Sequence, residues 1–174
     1  YEKRRDLQYT VNYFDKDDNS VIKTAKTVEN KRFKDVITSA SEVVDIPGYN
    51  YDSANVESIT IGTNAEANVI NLYYTKRNDL SYVVNHLDKA DGTLIHDPTG
   101  ADNQVFASQI TSANEKLEIF GYDYDSADPN VLTISADNNS NVINLYYTKK
   151  TFDYTVYYLD EDTNEEIETR VENS

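Results

Sequence analysis

The chain has 174 residues, with 16 Lys and Arg against 31 Asp and Glu, a formal net charge of −15. So acidic a surface is a poor match for nucleic acid or an anionic membrane, which are held by clustered Lys and Arg. With no Cys there is no disulfide, and no apolar run approaches the roughly 20 residues that insert across a bilayer.

The acidity fits a soluble surface that resists self-association, with a divalent-cation role as the other reading. The chain opens at Tyr1 rather than Met and has no leader pattern there. It is therefore expected to be a piece of something longer.

Asn68-Val69-Ile70-Asn71-Leu72-Tyr73-Tyr74-Thr75-Lys76 recurs unchanged from Asn141 to Lys149, an offset of 73 residues. That identity makes the chain an array of one unit. The expected division is 1–6 as the end of a preceding repeat, 7–79 as repeat 1, 80–151 as repeat 2, and 152–174 as the start of a third, truncated repeat.

In chain order, Leu7, Tyr9, Val11 and Tyr13 alternate with polar residues, as in a half-buried strand. A turn cluster of Asp and Asn at 15–20 and a β-prone run to Val28 complete a hairpin. Leu80, Tyr82 and Val84 repeat this, with Asp91-Gly92 as the turn signal, and Phe152, Tyr154, Val156 and Tyr158 begin it again.

The period then changes. Phe33, Ile37, Ala40 and Val44 are spaced 4, 3 and 4, as are Phe106, Ile110, Ala113 and Leu117. This spacing predicts helices over 31–44 and 104–117, capped by Asn30 and Asn103. Irregular extended chain is the competing reading, because Thr38-Ser39 and Thr111-Ser112 are weak helix formers.

Gly48 and Gly121 end the connection to a strand on which Tyr49 and Tyr51 share a face, and Asp52-Ser53-Ala54 turns the chain. A short strand at Ile59 and Ile61, a polar loop and the recurring closing strand follow. In that strand Ile70, Leu72 and Tyr74 face the core.

The unit is strand-strand-helix-strand-strand, an α+β, β-grasp-like module in an elongated tandem array.

Tyr9-Thr10-Val11-Asn12-Tyr13 before the turn at 15–20, Gly48-Tyr49, and the strand ending Tyr74-Thr75-Lys76 recur at 82–86, Gly121-Tyr122 and 143–149. This pattern resembles the mucin-binding (MucBP-type) repeats of Gram-positive surface adhesins. The resemblance implies tandem β-grasp-like repeats, cell-wall attachment on a secreted protein, and adhesion to host mucin or other glycoprotein glycans.

No acid, base and nucleophile come together in the sequence, so no catalytic residue, enzyme activity or cofactor is expected. His86 and His96 have no counterparts in repeat 1, where Tyr13 and Lys23 stand, and read as strand or surface histidines. The Asp clusters are too short for a calcium loop and read as hairpin turns, so no metal site is assigned.

Asn71 and Asn144 have no repeated Lys in the first strand to join, and no Lys–Asn isopeptide bond is expected. For a sugar, which stacks on aromatic faces and is anchored by carboxylates, the ligand candidates are Tyr49, Tyr51, Asp52, Tyr122, Tyr124 and Asp125. The competing reading has at least one Tyr of each pair in the core.

The expected whole is a non-enzymatic adhesin repeat, a monomer within a longer array, serving as stalk and weak multivalent glycan binder. A spacer without ligand and a calcium-stiffened rod stay open as alternatives.

Overall fold

The computed structural model describes residues 4–173. Residues 1–3 of the expected preceding repeat and Ser174 of the third lie outside the described residues. The strands in order are β1 (Leu7–Asp15), β2 (Val21–Lys31), β3 (Val36–Thr38), β4 (Tyr49–Ala54), β5 (Ser58–Thr60) and β6 (Val69–Lys76), then β7 (Leu80–Asp88), β8 (Leu94–Gln104), β9 (Gln109–Thr111), β10 (Tyr122–Asp128), β11 (Val131–Thr133) and β12 (Val142–Lys149). The hairpin β13 (Asp153–Leu159) and β14 (Glu166–Asn173) ends the chain.

Two four-stranded sheets have the same order, β2-β1-β6-β4 and β8-β7-β12-β10. In each, the repeated closing strand runs parallel to the first strand, Val11 opposite Ile70 and Val84 opposite Ile143.

The alternation read from the sequence is what is buried. Leu7, Tyr9, Val11 and Tyr13 meet Ile70, Leu72 and Tyr74 in one core, closed by Ile46 and Ile61. Val69, Asn71 and Tyr73 keep partial exposure on the other face. Asn12 donates from Nδ2 to Asn71 Oδ1 across the central pair at 2.8 Å, and Asn85 does the same to Asn144 at 2.9 Å.

The three hairpin turns share one geometry. Asn19, Gly92 and Asn164 take φ of 58°, 74° and 56°, and each donates its N–H back to Asp15, Asp88 or Asp160. Asn and Gly are the residues that tolerate this left-handed backbone. The aspartate side chains accept N–H groups within their own turns, from Asp17, Ala90 and Asp162 among others.

The α+β expectation is overturned. Among the described residues the fold is 56% strand and 8% helical, with no helix of seven residues or more, so the β-grasp-like module with its predicted helices is replaced by a nearly all-β one. Residues 31–44 carry only β3 and a 3₁₀ turn, Ser39–Glu42, and 104–117 carry β9 and the turn Ser112–Glu115.

The cause is local. Asn30 and Lys34 have φ of 59° and 70°, and Asn103 and Ala107 have 58° and 63°, which no α-helix accommodates. The asparagines are thus left-handed corners rather than helix caps. Burial alternates residue by residue from Lys31 to Ala40, the period of extended chain. Val36, Ile37 and Thr38 are β-branched and pair with β5.

A second correction concerns Asp52-Ser53-Ala54, which does not turn the chain but continues β4. A bulge lies there, since Tyr51 opposes Tyr74 and Ser53 opposes Tyr73.

Contacts divide the chain into two compact units. The first holds the described residues through Tyr82 together with Ala101–Gln109 and Thr133–Asn141. The second holds Val83–Gly100, Ile110–Leu132 and the described residues from Val142 onward.

Candidate functional site

The six ligand candidates lie on β4 and β10, each antiparallel to a closing strand. Tyr49 opens β4 after a tight turn in which its N–H meets Ile46 O at 3.0 Å, with Pro47 and Gly48 (φ 84°) at the corner. Positive φ at the third turn position demands Gly, which explains that residue.

Inside the first unit the Phe106 ring presses on Gly48, where a Cβ would come within 2.5 Å of it. The same ring meets Tyr49 edge-on at 5.4 Å. Arg77 donates its N–H to Gly48 O and accepts from Phe106 N–H through its own carbonyl. Tyr49 is therefore a packing residue, and burial, with the Asp15 carboxylate next, pushes its hydroxyl pKa up.

Its counterpart Tyr122 is also engaged, its hydroxyl donating to Asp88 Oδ2 at 3.4 Å. Asp15 and Asp88 are buried and ion-paired to Lys76 at 3.2 Å and Lys149 at 3.1 Å. Backbone donation from Ala90 and then Lys149 hold the Asp88 carboxyl below its ordinary range.

The bulges re-aim the acidic candidates. Asp52 takes Lys16 Nζ at 2.6 Å, and Asp125 takes Lys89 Nζ at the same distance. Each lysine lowers its partner's carboxyl pKa.

Tyr51 and Tyr124 stand apart from the rest. Both are held edge-on by a buried tyrosine of the closing strand, Tyr51 on Tyr74 at 5.7 Å and Tyr124 on Tyr147 at 5.8 Å. Tyr51 is 42% exposed and lines a shallow groove of about 290 Å³ with Ser39, Ala40, Ala54, Val56 and Glu57. Tyr124 is part-exposed, and Lys116 Nζ lies over its ring, 3.7 Å from the centroid. Val43 stands at the position of Lys116 in the first repeat.

A larger cleft of about 470 Å³ lies at the Gly48 corner, lined by Asp45, Tyr49, Arg77, Asp79 and Ala136 among others. Its one guanidinium is already clasped by Asp79, at 2.9 and 3.0 Å.

Three elements escaped the sequence reading. Asn68 is buried and saturates three backbone groups, accepting Gly62 N–H at 2.9 Å and donating to Gln8 O and Gly62 O at 3.0 Å each. Asn141 does the same for Ser135 and Ser81. The signal was present, as the first residue of the repeated stretch, but nothing local distinguishes it from a loop asparagine.

The second is a buried polar cluster in repeat 1. Tyr9 Oη donates to Glu42 Oε1 at 2.8 Å, and Lys26 Nζ to Oε2 at 2.7 Å. Burial first and then Glu42 push the Tyr9 hydroxyl up to about 12.

The third is His86, read from the sequence as an ordinary strand or surface histidine. It is fully buried, its Nδ1 at 3.3 Å from Tyr147 Oη and its Nε2 at 3.1 Å from Thr99 Oγ1. Tyr147 Oη accepts Leu117 N–H, so its own proton can go to a neutral His86 Nδ1.

Among the described residues no group of three His, Cys, Asp or Glu is arranged to hold a metal ion. Among them, too, no helix is long and apolar enough to cross a membrane.

No family model and no curated protein matches the chain. Among solved structures it matches the type 2 repeat of the mucus binding protein MUB from Lactobacillus reuteri, at 14% identity over 83% of this chain and 100% of that one. The TM-score is 0.31.

Proposed function

We propose that this chain is a non-enzymatic repeat module of a secreted, cell-wall-anchored bacterial adhesin. Its repeats serve as stalk and as weak, multivalent binders of mucin glycans. The repeat motifs carry the adhesin reading, and the observation that carries the binding role is Tyr51, an aromatic ring left open at the rim of a groove. Sugars dock their C–H faces on such rings, and weak sites become useful when repeated along one chain.

A second reading, a spacer without ligand, is favoured by a specific observation. Asp52, Tyr122, Tyr124 and Asp125 are all committed to partners within the chain.

Retention on immobilised gastric mucin separates the two. The proposal expects the chain to be retained, and to lose retention when the O-glycans are removed enzymatically. No retention, or retention indifferent to deglycosylation, would leave the spacer.

A further inference from the structure

The two repeats present the same tyrosine differently. Tyr51 and Tyr124 occupy the same place in the same register, each opposite the inward tyrosine of the closing strand. The first repeat has Val43 at the position of Lys116, and its aliphatic side chain packs on the core of the first sheet. Beside Tyr124 stands Lys116, whose ammonium sits over the ring at 3.7 Å. A cation at that distance is held by the ring quadrupole and occupies the face a sugar would use.

The groove at Tyr51 has a defined chemistry. Ala40, Ala54 and Val56 give it apolar walls, and Glu57 is the one charged residue in its lining. It has no basic residue in its lining, on a chain of net charge −15. In repeat 2 the equivalents of Val56 and Glu57 are Pro129 and Asn130, so the carboxylate is lost as well.

From this asymmetry, and resting on the glycan-binding reading above, we infer that the Tyr51 groove is the sugar site of this chain. We infer further that it takes uncharged hexose or N-acetylhexosamine residues, and that Lys116 closes the matching site in repeat 2. A sugar's C–H face lies on the Tyr51 ring, and its hydroxyls donate to Glu57. Sialylated and sulfated sugars are repelled by that carboxylate and by the field of the whole chain.

The test is an NMR titration of the intact chain with galactose, N-acetylglucosamine and N-acetylneuraminic acid, reading ring and amide signals of both repeats. A neutral sugar should move signals at Tyr51, Ala40, Val56 and Glu57 in the millimolar range, with N-acetylneuraminic acid at least tenfold weaker. Tyr51→Phe should keep most of the shift and Tyr51→Ala should abolish it.

Lys116→Val, which copies repeat 1, should open a second titrating site at Tyr124. Because this variant gains a signal, a folding failure cannot imitate it. Shifts centred elsewhere, equal response at Tyr124 in the unmodified chain, or preference for the anionic sugar would overturn the inference. Mucin retention that survives Tyr51→Ala would overturn this site while leaving the adhesin reading standing. Absence of both sugar shifts and mucin retention would remove the two together.

Discussion

The first and second repeats build the same sheet, yet they fill the space beside it with different chemistry. In repeat 1 Tyr13 packs beside Tyr74, and Glu42, only 6% exposed, gathers Tyr9 and Lys26. In repeat 2 the place of Tyr13 is taken by His86, that of Lys26 by Thr99 and that of Lys23 by His96. His86 bonds Thr99 and meets the His96 ring at 5.3 Å. What stays constant is the backbone geometry, namely the parallel central pair, the left-handed corners and the asparagine knot. Side chains around it are free to diverge once those are satisfied.

The largest effects should fall on what the repeats share. Asn68→Ala and Asn141→Ala each leave three backbone groups without their partner, at about 1 kcal/mol or more apiece, so about 3 kcal/mol each. Urea unfolding with residue-resolved amide signals should find the two losses alike and each confined to its own sheet. A loss under about 1 kcal/mol in either would break the claim that both knots work the same way.

Next come the two corner glycines, which should differ. Gly48→Ala meets a left-handed backbone and the Phe106 ring, costing about 1 kcal/mol for the first and about 1–3 more for the second. Gly121 has φ of 80° but nothing within 4 Å of an added Cβ, so Gly121→Ala should cost about 1 kcal/mol. Equal costs by thermal melting would contradict the Phe106 contact.

Below Gly48→Ala comes the repeat 1 cluster. Glu42→Ala removes the acceptor of the Tyr9 hydroxyl and should cost about 2 kcal/mol, read by urea unfolding of first-sheet amides. Second-sheet amides should not move.

The smallest effect is a pH dependence peculiar to repeat 2. Burial, and next His96, depress the His86 pKa, while Glu115 opposes them and Tyr147 and Thr99 are neutral partners. The folded state therefore resists a proton that the unfolded chain accepts near pH ~6.5. Stability is complete above that pH and is lost as the pH falls below it toward the depressed folded value. Amide exchange at pH 7.5 and 5 should find second-sheet protection reduced, and His86→Tyr should abolish the difference. Protection unchanged at pH 5 would mean that His86 accepts its proton in place.

How far the sequence carried the structure depends on how local each signal is. Period-two burial in β1 and β6 was legible because every second residue from Leu7 to Tyr13 is large and apolar. The turns were legible because Asp, Asn and Gly have specific backbone roles. The helix was misread for a definite reason. Phe33 to Ile37 and Ala40 to Val44 are steps of four, which suit a period of two as well as one of 3.6. The only odd step runs to Ala40, and Ala40 turns out to be exposed, while Ser39 and Glu42 are buried.

Within the candidate site the commitments of the side chains were invisible in the sequence. The pairing of Asp52 with Lys16 needs the bulge, and the cover of Lys116 over Tyr124 needs two segments brought side by side. The exchange of Val43 for Lys116 is plain in the aligned repeats, but only the sheet gives it meaning.

The central claim is that equivalent positions of a duplicated scaffold are used differently, Tyr51 open to a ligand and Tyr124 sealed. Retention on immobilised mucin of Tyr51→Ala and Tyr124→Ala, side by side with the unmodified chain, tests it most directly. Loss of retention at least tenfold for Tyr51→Ala, with Tyr124→Ala unchanged, is the predicted result. Equal loss in the two variants, or retention untouched by Tyr51→Ala, would contradict it.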